Sequence, residues 1–509
     1  MPATYVTPGV YVEEVDKGSK PIEAAGSSMA AFVGLTAEAS LKVIDPETGA
    51  RVPVESVVNK ATLVTNWTQF QNIFGGFTSG AFLPDAVYGY FNNGGGPCYV
   101  TSIRALNESA ATAASVTVPA TGRGKSFVLT AKTAGPGGND IEVTIKNEGE
   151  KGETFSLTIG KVTKSGLTVK KGQNSVEDVD LEGVLVSDVG SSLPAEGTYK
   201  LSGGGMAPLT AVDFIGDVAQ RTGLAGLEAQ DDVRLVLCPD LFADYDGSPA
   251  AKEKVKAVQT AIIADCERLK YRFAVLDMPP GLNAQQAKEW REYVNYDTSY
   301  AAMYYPWIRV ADLSDSPQTS KLMPPSGHVA GIYNRVDATV GFHKAPANEV
   351  VAGAIELEIK LTKGEQGVLN PIGVNCIRTF SGRGIRVWGG RTLSSDGSWR
   401  YINVRRLFIV VGASLDQGMQ WVVFEPNDRM LWAKVRRDVT SFLSTIWLSG
   451  ALFGVTKDEA FYVKCDEELN PPEIRDLGQL IIEIGMAPVK PAEFVVFRLS
   501  QWAGPNAEG

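Results

Sequence analysis

Between Asp232 and Val294 short apolar runs alternate with longer amphipathic ones: VRLVLCP, then Lys252 to Lys270, then RFAVLDMP, then Ala284 to Val294. In the first long run Val255, Val258, Ile262, Cys266 and Leu269 recur at spacings of three and four. That spacing puts one apolar stripe along a helix. Strand, helix, strand, helix in succession predicts a parallel sheet with helices covering its faces.

The flanking regions extend this pattern. Leu63 to Phe77 and Leu83 to Val100 read as a short strand, a helix and a Gly-rich turn leading into a strand at Cys98 to Ile103. After a Pro-rich loop (Pro317, Pro324, Pro325), Leu407 to Val411 reads as a buried strand and Met430 to Ile446 as a helix. The stripe of that helix is Leu431, Val435, Val439, Phe442 and Ile446. Both termini are strand-like: Tyr5, Val10, Tyr11, Val12 and Val15 at the start, and Phe494, Val495, Val496, Phe497 and Leu499 at the end. β-formers at a terminus need something to hold them, because unpaired termini fray.

Residues 105–205 break the pattern. They hold no Trp or Cys, only three aromatics (Phe127, Phe155, Tyr199), and sixteen glycines among Ser, Thr and Lys. Ile141, Val143 and Ile145, then Phe155, Leu157 and Ile159, alternate with polar residues, as half-exposed antiparallel strands do. The fold class is therefore α/β and multidomain: an α/β core built from N- and C-terminal parts, an inserted antiparallel β-rich domain, and extended terminal strand arms. The expected divisions are an arm at 1–25, core parts at 26–104 and 206–365, the insert at 105–205, a C-terminal α/β domain at 366–490, and an arm at 491–509.

A search for chemistry returns little. The five cysteines form no close pair, so no disulfide scaffold or CxxC motif is expected, and the chain reads as made in a reducing compartment. The start carries no secretory signal pattern, and no run approaches the roughly 20 apolar residues that span a bilayer. His328 and His343 are the only histidines and lack cluster partners; both read as solvated or core-edge residues, with no metal site. No GxSxG elbow is present. The nearest phosphate loop, PATGRGKS at Pro119 to Ser126, is flanked by strands on both sides and reads as a hairpin turn. No catalytic residue, cofactor or metal is expected.

One charge feature stands out. Arg378 to Arg437 holds eleven basic and four acidic residues, net +7 in a chain of net -10, leaving -17 for the rest. Such polarity suits head-to-tail contact between copies or docking on an acidic partner, with nucleic acid the less supported rival because no recognition module accompanies it.

Several long motifs carry a resemblance: YVTPGVYVEEV followed by AAFVGLT, then AGPGGNDIEV, then LNPIGVNCIRTFSGRGIRVWGGRTLSSDGSWRYINVRRL, FEPNDRMLWAKVRRDV and IEIGMAPVKPAEFVVFRLSQ. Together they resemble the contractile tail sheath proteins of phages, pyocin-like particles and extracellular contractile injection systems. The resemblance runs the length of the chain and is thinnest in the insert. It implies a non-enzymatic subunit of a helical sleeve around an inner tube, assembled in the bacterial cytoplasm as part of a phage-tail-like particle. The partners implied are further copies of the chain, the tube protein, and baseplate and tail-terminator proteins, without nucleic acid or membrane insertion. The insert would lie outward and residues 366–490 would face the tube.

Terminal strands commonly close their own domain's sheet; given the resemblance, the expected arrangement is pairing with a neighbour's sheet edge. Burying four apolar side chains of one arm gains roughly 6–12 kcal/mol gross, while ordering eight residues costs on the order of 8–16 kcal/mol. One arm alone is close to break-even, so linkage needs several arms on a template. Arg429, Lys434, Arg436 and Arg437, on the polar face of the Met430 to Ile446 helix, are the expected tube contact. The rivals are a nucleotide- or sugar-handling α/β enzyme using Asp232 to Val294, and a non-contractile β-rich adhesin.

Overall fold

In the computed structural model the described residues are 22–46, 51–107, 111–314 except 123, 133, 135, 149–153, 161, 173, 182 and 207, and 319–498. They form two compact units. Of the described residues, the larger takes in those up to Thr36, those within Ser40–Ile103 and those from Phe214 onward; the smaller comprises Ala37–Ala39 and those within Arg104–Asp213.

The larger unit is built on a nine-stranded sheet of β1 (Ala30–Thr36), β2 (Thr62–Val64), β3 (Cys98–Ala105), β4 (Leu235–Leu237), β5 (Phe273–Asp277), β6 (Ala301–Tyr305), β7 (Glu349–Val350), β8 (Val374–Phe380) and β9 (Gly384–Val387). Their spatial order is β7-β9-β8-β6-β5-β4-β1-β3-β2. The five strands β8-β6-β5-β4-β1 run parallel, registered through Met303 on Val374, Ala274 on Ala301, Leu235 on Phe273 and Ala30 on Leu235. This is the parallel sheet expected from Asp232 to Val294. Every residue of β1, β4, β5 and β6 is buried. Strands covered on both faces have no solvent side to alternate toward, which is why they read as continuous apolar runs. Strands β8 and β9 belong to the segment after residue 366, so that segment completes the core sheet as well as continuing beyond it.

The longer helices of this unit are α1 (Trp67–Phe74), α2 (Leu83–Asn92), α3 (Pro249–Leu269), α4 (Ala284–Val294), α5 (Ser326–Thr339), α6 (Ile402–Gly418) and α7 (Arg429–Leu448). Local chemistry sets their ends. The Ser248 hydroxyl accepts from the Ala251 N–H at 3.2 Å ahead of Pro249, and α3 stops at Lys270 with φ 63°. Asn283 and Gln286 form a reciprocal capping box on α4. The stripe read for α3 is buried at Val255, Val258, Ile262 and Cys266.

One expectation is overturned. Leu407 to Val411 lies inside α6 and is no strand. Ile402 to Leu407 are all buried, as are Ile409, Val410 and Val411, so the helix has almost no solvent face there. A helix hidden on all sides loses the 3.6-residue polarity that distinguishes it from a buried strand.

Helices α2 and α5 approach closely because glycines line their contact. A Cβ on Gly331 would overlap the Tyr90 carbonyl oxygen, and one on Gly327 that of Ala86. Gly331→Val therefore forces the helices apart and is expected to cost about 3 kcal/mol, seen as a lower denaturation midpoint of the isolated chain. An unchanged midpoint would show that this contact yields without penalty. His328, on the same helix, is buried against Gly89 and held neutral, burial pushing its pKa down to about 4. It is a core residue, neither solvated nor at a core edge.

The described residues of the smaller unit are mainly β, with a 3-10 helix at Pro136–Asp140. One antiparallel sheet runs in the order Val162–Leu167, Thr154–Ile159, Glu142–Glu148, Gly197–Lys200; a second runs Val184–Ser187, Lys125–Ala131, Ser115–Pro119. Its core is small, centred on Phe127 and Phe155 with ring centroids 5.8 Å apart. The PATGRGKS segment joins the antiparallel strands Ser115–Pro119 and Lys125–Ala131, the hairpin its flanks predict.

Candidate assembly surface

Helix α6 organises the roots of both terminal segments. Toward its C-terminal end Ile22 packs on Gly418, and Ser414 Oγ accepts from the Ala25 N–H at 2.9 Å. In its second turn Arg406 donates to Asp337 and, at 2.9 Å, to the Ser27 carbonyl, while the Ser27 hydroxyl donates to the same carboxylate at 2.6 Å. At its N-terminal end Asn403 donates to the Val489 carbonyl at 2.9 Å, and the Tyr401 hydroxyl to Glu493 at 3.0 Å. Seventeen helical residues span roughly 25 Å. Ile22 and Glu493 therefore sit at opposite ends of one buried helix.

The C-terminal root is a charged clamp. Glu493 accepts from Arg391 Nε at 2.9 Å and Nη2 at 2.8 Å, and from Asn370 Nδ2 at 2.7 Å. Burial opposes its ionisation, but the hydrogen bonds from Arg391, Asn370 and Tyr401 outweigh it and hold the carboxyl below its ordinary value. Immediately after this fixed point the chain carries Phe494, Val495, Val496 and Phe497, exposed by 73, 70, 77 and 83%. They form no strand here. Four adjacent apolar side chains thus lie in water, beginning one residue beyond the clamp. Leu499, with Tyr5, Val10, Tyr11, Val12 and Val15, lies outside the described residues.

Helix α7 buries the stripe read from sequence, Leu431, Val435, Val439, Phe442 and Ile446. Against it lies a two-stranded antiparallel sheet of β10 (Phe461–Lys464) and β11 (Glu483–Met486). Phe461 and Val463 on β10, and Ile484 and Met486 on β11, pack toward the helix. Each strand pairs on one edge only among the described residues. A lone two-stranded sheet is marginal in water, and here the helix beneath supplies its support.

Three of the four cations expected on α7 are engaged within the chain. Arg429 pairs with Glu467 at 2.6 Å, Arg436 donates to the Cys465 carbonyl, Arg437 meets Asp438 at 2.9 Å, and Lys434 is exposed. The wider basic excess is likewise partly internal. Arg391 and Arg406 are buried in ion pairs, and Arg405 is buried over Trp399 and Tyr300, 3.6 and 4.3 Å from the ring centroids. Their role as core ion pairs and stacking groups was invisible in a charge count. A lone acid just ahead of an apolar run, as in PAEFVVF, was the available signal for the clamp.

Carboxylates also occur where an α/β enzyme would bind a ligand, Asp240 beyond the end of β4 and Asp277 as the last residue of β5. Asp240 accepts from the backbone N–H groups of Leu35 at 2.6 Å, of Phe82, and of Leu83 at 3.3 Å; Asp277 accepts from that of Ser326 at 2.9 Å. Burial pushes both carboxyls up to about 7. They fasten loops to the sheet.

Residues 225–393 match the family model of the phage tail sheath protein central domain, and residues 394–501 that of the phage tail sheath C-terminal domain, together more than half of the chain. The tail sheath protein of Burkholderia phage BcepMu is 26% identical over 531 residues, covering 98% of this chain and 97% of that protein. A putative prophage major tail sheath protein of Pseudomonas aeruginosa strain UCBPP-PA14 is 28% identical over 261 residues, 48% of this chain and 63% of that one. Among solved structures, the helical sheath of the anti-feeding prophage in its contracted state superposes with a TM-score of 0.60 at 23% identity, over 98% of this chain and 100% of that one. The contracted sheath of the extracellular contractile injection system PVC gives 0.59 at 24%, over 98% and 99%. The fold is shared across these structures, and the chain belongs to the phage tail sheath family.

Proposed function

We propose that this chain is the structural subunit of a contractile sheath, polymerising as a helical sleeve around an inner tube and contracting to drive that tube through a target envelope. The observation that carries the reading is the clamped C-terminal segment with its four exposed apolar side chains. Such a segment gains most by adding to a neighbour's open sheet edge, and the β10–β11 sheet on α7 offers two. The N-terminal segment, rooted at the other end of α6, links a different neighbour in the same way. Contraction is then a rigid-body rearrangement in which each core keeps its fold while the segments beyond the roots bend.

The role is structural rather than catalytic. The nucleotide- or sugar-handling alternative gains no support from the matched families, and its carboxylates are engaged with backbone N–H groups. Further partners in this reading are the tube protein, with Arg429, Lys434, Arg436 and Arg437 as the contacting cations, and baseplate and terminator proteins that start and end the sleeve. Assembly takes place in the bacterial cytoplasm.

Negative-stain electron microscopy of the purified chain with its tube protein and baseplate is expected to show striated hollow tubes. Dispersed particles under those conditions would overturn the reading.

A further inference from the structure

Along α6, Phe408, Gly412 and Asp416 recur four residues apart and so share one face, and none of the three is buried. That face floors a cleft of about 640 Å³, walled by Leu269, Lys270 and Tyr271 at the end of α3 and by Tyr300 just ahead of β6. Gly412 is the informative residue. A glycine inside a helix costs stability relative to alanine, because it adds freedom to the unfolded chain and packs nothing. Where such a glycine serves the fold, a neighbour takes the space of the missing Cβ, as the Tyr90 carbonyl does at Gly331. At Gly412 a Cβ would meet nothing within 4 Å. Nothing among the described residues uses that space, so the bare floor suits a group arriving from outside the subunit.

The α6–α7 connection carries a projection of matching character. Phe424 is fully exposed and holds φ 68°, a left-handed conformation that bulky side chains rarely adopt. Glu425 follows it, exposed and without an ion pair among the described residues. Lys270, at the mouth of the cleft, is likewise exposed and unpaired there, whereas Arg268 is held by Glu228 and Asp265 and Arg405 by Ser299. We propose that the cleft receives Phe424 and Glu425 of a second copy of this chain, the ring lying over Gly412 and the carboxylate meeting Lys270. Aromatic anchors that fill a pocket carry much of an interface's energy. Asp416, on the same strip, repels the incoming acid and so turns it toward Lys270. A projection fitting an unlike cleft makes a head-to-tail contact, the kind that propagates as an open helix. The inference rests on the sleeve reading above and adds a contact that uses neither terminal segment.

The test reads tube formation by full-length variants with tube protein and baseplate present, and thermal melts of each chain alone. Phe424→Ser, and Gly412→Leu, which fills the cleft from its floor, are each expected to need about tenfold more protein to form pelletable tubes. Phe424→Ser leaves the melt unchanged. Gly412→Leu raises it, because leucine is the better helix former and its Cβ meets open space. Lys270→Glu and Glu425→Lys each put like charges together and raise the threshold by a smaller factor that shrinks at high salt. An equimolar mixture of these two, and one chain bearing both changes, are expected to assemble like wild type. Recovery in the doubly changed chain without recovery in the mixture would overturn the proposal, by placing the contact within one subunit. Tubes at wild-type concentration from Phe424→Ser and Gly412→Leu would overturn it while leaving the sleeve standing; dispersed wild-type particles would overturn both. Normal self-assembly of Phe424→Ser with lost tube binding would overturn it by assigning this ring to the tube.

Discussion

Replacing Phe494, Val495, Val496 and Phe497 with serine, or removing residues 1–16, is expected to abolish tubular assembly while leaving the monomer folded. The four side chains are already 70–83% exposed, so their loss removes almost no packing from the isolated chain. What they contribute appears only when a neighbour covers them, at roughly 1.5–3 kcal/mol for each fully buried side chain. A sleeve repeats each linkage at every subunit, and a deficit of several kcal/mol per linkage shifts polymerisation by more than a hundredfold in subunit concentration. Ultracentrifugal pelleting with electron microscopy reads the polymer, and circular dichroism melts read the fold. Tubes at wild-type concentration from either variant would show that the terminal segments are not the linkers.

Much of this architecture was legible in the sequence. The parallel sheet followed from alternating runs, the stripe of α7 from its spacing of four, four, three and four, and the smaller unit from its loss of aromatics. Helix α6 was misread because burial on all sides erased its periodicity. The site was half legible. The apolar runs at both ends were visible in the sequence, but assigning them to a neighbour rested on the family resemblance, because terminal strands commonly close their own domain's sheet. The clamp at Glu493 did not, because its partners Asn370, Arg391 and Tyr401 lie about a hundred residues away and only folding brings them together. The same distance hid the internal role of the arginines: in one dimension a buried, paired guanidinium and a solvated one are the same letter. The division between β10 and β11 as edges needed the structure too, since openness is a property of what is missing beside a strand.

The N-terminal root yields the other large effect, and it separates fold from assembly. Arg406 and Asp337 are 2% and 5% exposed and joined through both guanidinium nitrogens. Arg406→Ala leaves the carboxylate buried and unpaired and strips a donor from the Ser27 carbonyl, a change expected to cost about 3–5 kcal/mol. Removing both charges behaves differently. In Arg406→Met with Asp337→Leu the desolvated charges are gone together, and apolar side chains of similar size fill the space, so much of the lost stability returns. The Ser27 hydroxyl and carbonyl nevertheless lose both partners, and the N-terminal segment is no longer pinned to the second turn of α6. The double variant is therefore expected to melt within about 1 kcal/mol of wild type yet assemble poorly, because a loosened root lets the arm sample directions that miss the neighbour. If it melted and polymerised like wild type, the buried pair would be a packing detail. If it polymerised poorly only in proportion to lost stability, α6 would act as core alone. Stability regained without assembly is the result that makes this helix the strut from which both linkers are aimed.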